Sequence, residues 1–309
     1  MRRQVLILIS TTLLAGTLTA VLADNSNNVP TPNVPTKDKD KDTKPDGRGN
    51  VGKLSPARPR GNGISYHGGP IMTGSTNVYF IWYGNWAGNS ASTILTDWAN
   101  NIGGSPYFNI NTTYYNGSGV FVTNAVRYAG STTDNYSRGS SLSDADVQAV
   151  VSSAISSGRL PRDTFGLYFV LTSADVNESS GFCTQYCGWH THGTIGAMDI
   201  KYSFIGNPAR CPNACSAVSS GPTPNGNLGA DGMASIMSHE LEESVTDPDL
   251  NAWYDSTGAG NGDKCAWNFG ATQTAANGSK YNITLGTRQY LIQQNWVNAS
   301  GGFCAQRYP

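Results

Sequence analysis

The amino-acid sequence predicts a mixed α/β (or α+β) sandwich, in which helices pack against a mixed sheet and disulfide bonds join the loops. The first observation is that runs rich in aromatic and β-branched residues alternate with segments whose apolar residues recur at helical spacing. The second is that the chain contains six cysteines. An even number of cysteines predicts disulfide bonds in an oxidising compartment.

Strands and helices alternate in the first half of the domain. Residues 77–86 are rich in aromatic and β-branched residues, which predicts a buried strand. Residues 92–102 carry apolar residues at helical spacing, and residues 114–127 predict one or two strands around an Asn-Gly turn. A second helix is predicted at residues 143–157, where Ser143 can cap the first turn.

The second half continues this alternation and ends in short strands. Residues 165–171 predict a second buried strand, and residues 195–204 predict a third. A helix is expected at residues 231–245, because its apolar residues form one stripe and Pro248 prevents its continuation. Further short strands are expected at residues 280–285 and 290–296.

The amino terminus indicates secretion. Arg2 and Arg3 precede an apolar stretch, and small residues lead to a cleavage position after Ala23. This layout predicts a signal peptide at residues 1–23. The alternative is a membrane anchor, which the Ser, Thr and Gly residues within the apolar stretch disfavour. We therefore expect a secreted protein, extracellular or in the cell wall.

Composition divides the rest of the chain into a tail and one domain. Residues 24–60 are rich in proline and alternating charge, which predicts a disordered tail. Residues 61–309 are long enough for one globular domain. The net charge is −1, so the composition gives no basic surface for nucleic acid or, after signal removal, for a membrane.

The cysteines allow several pairings. They are Cys183, Cys187, Cys211, Cys215, Cys265 and Cys304. Fifteen pairings are possible for six cysteines, so the sequence does not fix them. We expect one bridge within each of the two C-x-x-x-C pairs and a third between Cys265 and Cys304. The alternative for the first pair is a zinc cluster completed by His190 and His192.

One short segment concentrates the residues that could carry chemistry. The chain has only four glutamates, and three of them directly follow His239. His239 and Glu243 are four residues apart, which places them on one face of the predicted helix, where both could bind a metal. Glu240 could then act as the general base on a metal-bound water. This is the logic of the H-E-x-x-H zinc helix, with Glu243 in place of the second histidine.

A third metal ligand is expected from the acidic residues that follow the helix. Asp249 lies ten residues after the histidine, the offset of the third ligand in the long zinc-protease pattern, although Thr246 replaces the glycine of that pattern. Asp263 precedes Cys265, whose disulfide bond would hold it rigid. Asp247 is a further candidate. One histidine and two carboxylates suit zinc, and calcium or manganese could compete.

Two alternatives limit this interpretation. The acidic residues could form a solvated helix face, because the apolar stripe of Met233, Met237 and Leu241 points nearly opposite to the histidine. His190 could enter the cleft as a ligand or donor, or it could lie on the surface of a disulfide-bonded loop. In an extended segment, His190 and His192 point to opposite faces, so only one of them can enter a given site.

Several segments together resemble the phosphate-induced protein 1 (EXORDIUM) family. They are residues 69–74, 78–86, 181–190, 206–215 and 231–233. The resemblance spans most of the domain. It implies a secreted or cell-wall protein of a family associated with growth control in plants.

Within this family, the chain is similar to a branch with an H-E-x-x-E helix that resembles the motif helix of zinc peptidases. Its similarity to that branch rests on Glu243, on the Thr-Asp-Pro sequence at residues 246–248 and on the Asp-Lys-Cys sequence at residues 263–265. The branch often has a glutamate just upstream of Asp263, where this chain has Gly260 and Asn261.

Two functions of different classes are therefore predicted. The first is a zinc-dependent, peptidase-like hydrolase with a cleft lined by the His239 helix and a peptide or cell-wall glycan as substrate. The alternative is a non-catalytic protein that binds wall polysaccharide or a receptor through aromatic residues such as Trp82, Trp86 and Trp189.

Overall fold

A five-stranded mixed sheet forms the centre of the domain and is covered by helices on both faces. The computed structural model describes residues 63–309, which lie within one compact unit. The expected signal peptide at residues 1–23 and the expected tail at residues 24–60 lie outside the described residues.

The strands are β1 (Ser65–Tyr66), β2 (Thr76–Tyr83), β3 (Val126–Asp134), β4 (Ser141–Leu142), β5 (Gly166–Thr172), β6 (Asn177–Glu178), β7 (Gly188–Ile195), β8 (Met198–Ile205), β9 (Trp253–Tyr254), β10 (Gln273–Thr274), β11 (Lys280–Tyr281), β12 (Ile283–Leu285), β13 (Arg288–Tyr290), β14 (Asn295–Val297) and β15 (Phe303–Ala305). The α-helices are α1 (Ala91–Ile102), α2 (Asp144–Ser156), α3 (Pro212–Cys215) and α4 (Leu228–Thr246). Short 3₁₀ helices cover Phe108–Thr113, Pro208–Arg210 and Asp263–Cys265.

The central sheet has the strand order β3-β2-β5-β8-β7. Neighbouring strands are parallel except for β7, which pairs antiparallel with β8 at the edge. Strands β2 and β5 are almost entirely buried, as expected for near-continuous apolar strands covered on both faces. The predicted mixed α/β fold is therefore confirmed.

The connections place the helices on opposite faces of the sheet. Helix α1 links β2 to β3 and helix α2 links β3 to β5, so the two crossovers run in opposite directions along the sheet. Right-handed crossovers then require opposite faces. Helix α4 packs on the face of α1, where the indole nitrogen of Trp98 donates a 3.0 Å hydrogen bond to Ser238 Oγ. Within residues 63–309, no helix is long and apolar enough to cross a membrane.

The periodic elements agree with the sequence prediction, and the less regular ones differ. Ser143 caps α2 in a capping box with Asp146, as the sequence predicted for its start. The strands expected at residues 114–127 are reduced to a single bridge between Tyr115 and Phe121, and β3 begins only at Val126. Strand β7 was not predicted, because its polar and glycine residues lack the apolar pattern of a strand. It forms by pairing with β8.

The expected bridges within the C-x-x-x-C pairs are wrong. Cys183 bonds to Cys211 and Cys187 bonds to Cys215, with Cα–Cα distances of 5.8 and 5.5 Å. The physical reason is the β7–β8 hairpin. Gly188 pairs with Ile205 at its open end, so the chain before β7 lies beside the chain after β8.

The remaining cysteine predictions have clear outcomes. The bridge between Cys265 and Cys304 is confirmed, and the six cysteines leave no free thiol. The zinc cluster on the first pair is wrong, because both of its sulfurs are in disulfide bonds. Three disulfide bonds fit an oxidising, extracellular environment.

Candidate metal centre

Helix α4 is buried on every side, including its acidic face. Residues 229–246 are all buried, and His239, Glu240 and Glu243 have at most 2% of their surface exposed. The solvated acidic face considered from the sequence is therefore wrong. The expected cleft is also wrong, because these side chains lie in the interior rather than on an open wall.

A loop rich in glycine covers the buried face of α4. We call residues 255–263 the glycine loop. A Cβ atom added to Gly260 would lie 2.4 Å from Glu243 Oε1, and one added to Gly262 would lie 2.8 Å from His239 Cδ2. The loop backbone thus rests directly on the two side chains. Gly260 and Gly262 are required because a side chain at either position would collide with Glu243 or His239.

The first cluster on this face is the His239 group, which consists of His239, Glu243 and Asp263. The Nε2 atom of His239 lies 3.4 Å from Glu243 Oε1 and 3.8 Å from Asp263 Oδ1. The backbone N–H of Asp263 donates a 2.9 Å hydrogen bond to Glu243 Oε1, which fixes the loop against the helix. One histidine nitrogen and two carboxylates therefore converge on one point.

The spacing within the His239 group matches a metal site. Zinc binds nitrogen and oxygen ligands at about 2.0–2.2 Å, so neighbouring ligand atoms of a tetrahedron are roughly 3.3–3.6 Å apart. The observed distances of 3.4 and 3.8 Å are close to this spacing. Two carboxylates would also balance the charge of a divalent cation. These residues could therefore supply three ligands of a metal ion.

The second cluster is the His190 group, which consists of His190, Glu240 and Glu243. Strand β7 brings His190 to the helix, where its Nδ1 atom lies 3.4 Å from Glu240 Oε2 and 3.6 Å from Glu243 Oε2. His190 is 1% exposed, whereas His192 points to the other face of the strand and is partly exposed. The two clusters share Glu243, with one carboxylate oxygen in each.

Burial and charge act differently on the two glutamates. Burial favours a raised pKa for Glu243, but the nearby His239 charge and hydrogen bond outweigh it and lower the pKa to about 2. Burial raises the pKa of Glu240, and His190 and His239 offset only part of this effect. Glu243 is therefore an anion stabilised by the His239 charge, and Glu240 is the more basic carboxylate.

Two of the aspartates expected as ligands lie elsewhere. Asp247 ends α4, and its Oδ1 accepts hydrogen bonds of 2.7 and 2.5 Å from the backbone N–H groups of Asn251 and Ala252. Burial raises the pKa of Asp247 to about 6. Asp249 lies 2.5 Å from the ammonium nitrogen of Lys201, in a separate cluster with His192 and Asp199. In this second cluster, the Lys201 ammonium group already balances the charge of the aspartates, so no metal ion is needed for that purpose.

A further buried carboxylate was not singled out by the sequence. Glu242 is fully buried on α4 and accepts a hydrogen bond from the Asn295 amide. Burial raises the pKa of Glu242 well above its ordinary value. The scarcity of glutamate in the chain was the available signal for Glu242. Its position beside Tyr107 and Tyr114, however, depends on the tertiary fold.

Two of the three aromatic residues named for the binding function are buried. Trp82 is 6% exposed and Trp189 is 1% exposed. Trp86 is partly buried and packs edge-on against Trp82, with ring centroids 5.1 Å apart. A wall polysaccharide could not stack on Trp82 or Trp189 in this structure.

Comparison with known proteins identifies the family. The family model described as phosphate-induced protein 1 conserved region matches residues 64–305. Protein EXORDIUM-like 3 of Arabidopsis thaliana is 32% identical over 274 residues, covering 75% of this chain and 80% of its own length. Protein EXORDIUM-like 5 of Arabidopsis thaliana is 32% identical over 273 residues, covering 75% of each chain.

A more distant relative and the solved structures complete the comparison. Protein PHOSPHATE-INDUCED 1 of Nicotiana tabacum is 25% identical over 221 residues, covering 62% of this chain and 67% of its own length. No solved structure matches the chain significantly. With a family model that covers most of the described domain and two relatives above 30% identity, the chain belongs to the phosphate-induced protein 1 (EXORDIUM) family.

Proposed function

We propose that this protein is an extracellular zinc-dependent hydrolase of the peptidase type. Zinc is held by the His239 group, and Glu240 is the general base. The observation that carries the proposal is the convergence of His239 Nε2, Glu243 Oε1 and Asp263 Oδ1 at 3.4 and 3.8 Å inside the protein. Calcium or manganese can compete for so anionic a ligand set.

Charge supports a cation at this point. Glu243 is completely buried, and its Oε1 atom lies 3.4 Å from His239 Nε2 and accepts the backbone N–H of Asp263. A buried carboxylate anion is costly unless a positive charge balances it. A divalent ion would replace the charge that His239 supplies and would balance Glu243 and Asp263 together.

Glu240 supplies the base of the proposed reaction. It directly follows the zinc ligand His239 on α4, and burial raises the pKa of its carboxyl. A zinc ion held by the His239 group would supply Lewis-acid chemistry, making a bound water more acidic and polarising the substrate carbonyl. Glu240 would take the proton of the attacking water and return it to the leaving amine.

Access to this centre would require movement of the part of the glycine loop that precedes Gly262, because Asp263 is itself a ligand and its backbone N–H is bonded to Glu243. That part of the loop, which includes Gly260 against Glu243, covers the acidic face of α4, so its displacement would uncover the metal centre. A peptide is the substrate that fits the proposed chemistry, and a cell-wall glycan is the alternative. The amide carbon of a peptide can be attacked by a water whose proton Glu240 accepts.

Complete burial favours a second candidate function. Structural zinc sites are closed, whereas catalytic sites keep an open position. In this alternative the metal stabilises a non-catalytic extracellular protein that binds a wall polysaccharide or a receptor. The same ligands hold the metal in both cases, so only activity separates the two functions.

The test measures metal and activity on the same samples. The secreted protein is stripped with chelator, loaded with zinc and assayed for zinc content and for hydrolysis of a mixed peptide library and of wall glycans. We expect about one tightly bound zinc per chain, loss of this zinc in His239→Ala, and retention of the tightly bound zinc without hydrolysis in Glu240→Gln. Asp249→Asn is the matched control and keeps both properties.

The outcomes separate the candidates. If the protein binds zinc but hydrolyses no substrate, the second candidate, a non-catalytic protein stabilised by zinc, is supported. A wild-type protein that neither carries zinc nor gains it on titration refutes both.

A further inference from the structure

We propose that a second divalent ion binds beside the first, in the His190 group, and that it inhibits the enzyme by occupying Glu240. The regulatory part rests on the proposed function, because it requires Glu240 to be the base. The binding part stands on geometry alone and can be tested without activity.

The first observation is the divergence of the Glu243 carboxylate. Its Oε1 atom faces His239 at 3.4 Å, and its Oε2 atom faces His190 at 3.6 Å. A carboxylate whose two oxygens face different metal-binding side chains can bridge two ions. Bridged two-metal sites in hydrolases have ions about 3.5–4 Å apart, which suits two clusters that share one carboxylate.

The second observation is the orientation of His190. Its Nε2 atom lies 3.3 Å from the backbone carbonyl oxygen of Asp247. A carbonyl oxygen only accepts hydrogen bonds, so this contact places a proton on Nε2, and Nδ1 is the nitrogen that can bind a metal ion in exchange for its own proton. Histidines that bind metals through one nitrogen commonly donate the other N–H to a backbone carbonyl. His190 is thus oriented as a ligand.

The third observation is that Nδ1 faces two carboxylates. The Nδ1 atom lies 3.4 Å from Glu240 Oε2 and 3.6 Å from Glu243 Oε2. Two buried carboxylates beside one nitrogen need a positive charge among them, which either a proton on Nδ1 or a metal ion in its place supplies. The three atoms are separated by roughly the distance expected for ligands of one ion.

The fourth observation is the state of Glu240 itself. It is 0% exposed, and His190 is the polar side chain that its carboxylate contacts. Gly188 encloses it, because a Cβ there would lie 2.9 Å from Glu240 Oε1. A buried carboxylate whose charge is met by one histidine can exchange the histidine proton for a metal ion.

These observations predict the order of binding. The first ion takes the His239 group, where Asp263 and Glu243 neutralise it. The second ion adds only Glu240 as a new anion and is repelled by the first, so it binds more weakly. Once bound, it occupies the carboxylate that would otherwise accept the proton of the metal-bound water. Zinc in excess of the first equivalent therefore inhibits.

The test is a zinc titration of the chelator-stripped full-length secreted protein by calorimetry, with elemental analysis of the end point. We expect two ions per wild-type chain, a tight one followed by one at least tenfold weaker. His190→Ala and Glu240→Gln should each bind only the tight ion, and His192→Ala, the matched control, should bind both. Manganese-loaded wild type should show magnetic coupling between two ions in its electron paramagnetic resonance spectrum, and His190→Ala should not.

The results distinguish the two proposals. A single ion in the wild-type protein, or a weak ion that persists in both His190→Ala and Glu240→Gln, overturns this inference even if the enzyme is active. Two ions with loss of the weak one in either variant support the site even if no hydrolysis is found, in which case the hydrolase proposal alone fails. Melting curves show whether each variant is folded, and Glu240→Gln decides the result if His190→Ala is not.

Discussion

Substitution of Gly262 by alanine changes the packing of the metal centre at one atom. Gly262 has φ −68° and ψ −50°, a conformation that alanine adopts freely. An added Cβ would lie 2.8 Å from His239 Cδ2 and 2.9 Å from its Cγ and Nε2. The backbone is therefore compatible with alanine, and the collision with the imidazole ring is the main change.

The size of the collision sets the expected effect. Carbon atoms pack at about 3.5–4.0 Å, so the ring or the loop must move by roughly 0.7–1.2 Å. The loop cannot retreat easily, because Asp263 N–H bonds to Glu243 and Cys265 is bonded to Cys304. Metal ligands tolerate displacements of about 0.2 Å, and overpacking costs about 1–3 kcal/mol. Zinc affinity should fall by about tenfold or more.

The assay is a zinc competition titration against a chromophoric chelator, with thermal unfolding measured for the metal-free and zinc-loaded protein. Gly74→Ala is the matched control, because a Cβ there would lie 3.8 Å from Phe165, an ordinary contact. We expect Gly262→Ala to lose affinity and Gly74→Ala to match the wild type. Equal zinc affinity in the two variants would refute the placement of His239 in the metal site.

Two further predictions concern stability and processing. Burial favours a raised pKa for Asp255, but hydrogen bonds from Thr257 and Lys264 outweigh it and lower the pKa to about 2, from an ordinary value of 3.8. This lowering stabilises the fold above the ordinary pKa and is lost as pH falls towards 2. Asp255→Asn should therefore reduce the free energy of unfolding by about 2 kcal/mol at pH 7 and by less at pH 3, in urea titrations; an equal loss at both pH values would contradict this. Intact mass of the secreted protein should correspond to cleavage after Ala23, and alkylation without reduction should add no mass; added label would disprove the three disulfide bonds.

The elements that the sequence predicted well are those determined locally. Strands β2 and β5 and helix α2 follow from apolar runs, periodicity and a cap, and each lies close to its expected position. Strand β7 depends on its partner β8, so its polar sequence gave no signal. The disulfide pairing depends on the same hairpin and was mispredicted for the same reason.

The candidate site divides in the same way. The spacing of His239 and Glu243 on one helix face is a local property and could be read directly. Which aspartate joins His239 and Glu243, Asp263 rather than Asp247 or Asp249, depends on the path of the chain after α4. The contact of His190 with Glu240 and Glu243 depends on the position of β7 in the sheet.

The metal centre is tested most directly by locating zinc in a crystal of the zinc-loaded protein. Diffraction data collected on both sides of the zinc absorption edge give the position of the ion without assumptions about the ligands. We predict an anomalous peak about 2.0–2.2 Å from His239 Nε2 and from carboxylate oxygens of Glu243 and Asp263. The absence of a peak at these three residues in zinc-loaded crystals, or a peak only at the His192 and Asp249 cluster, would contradict the account.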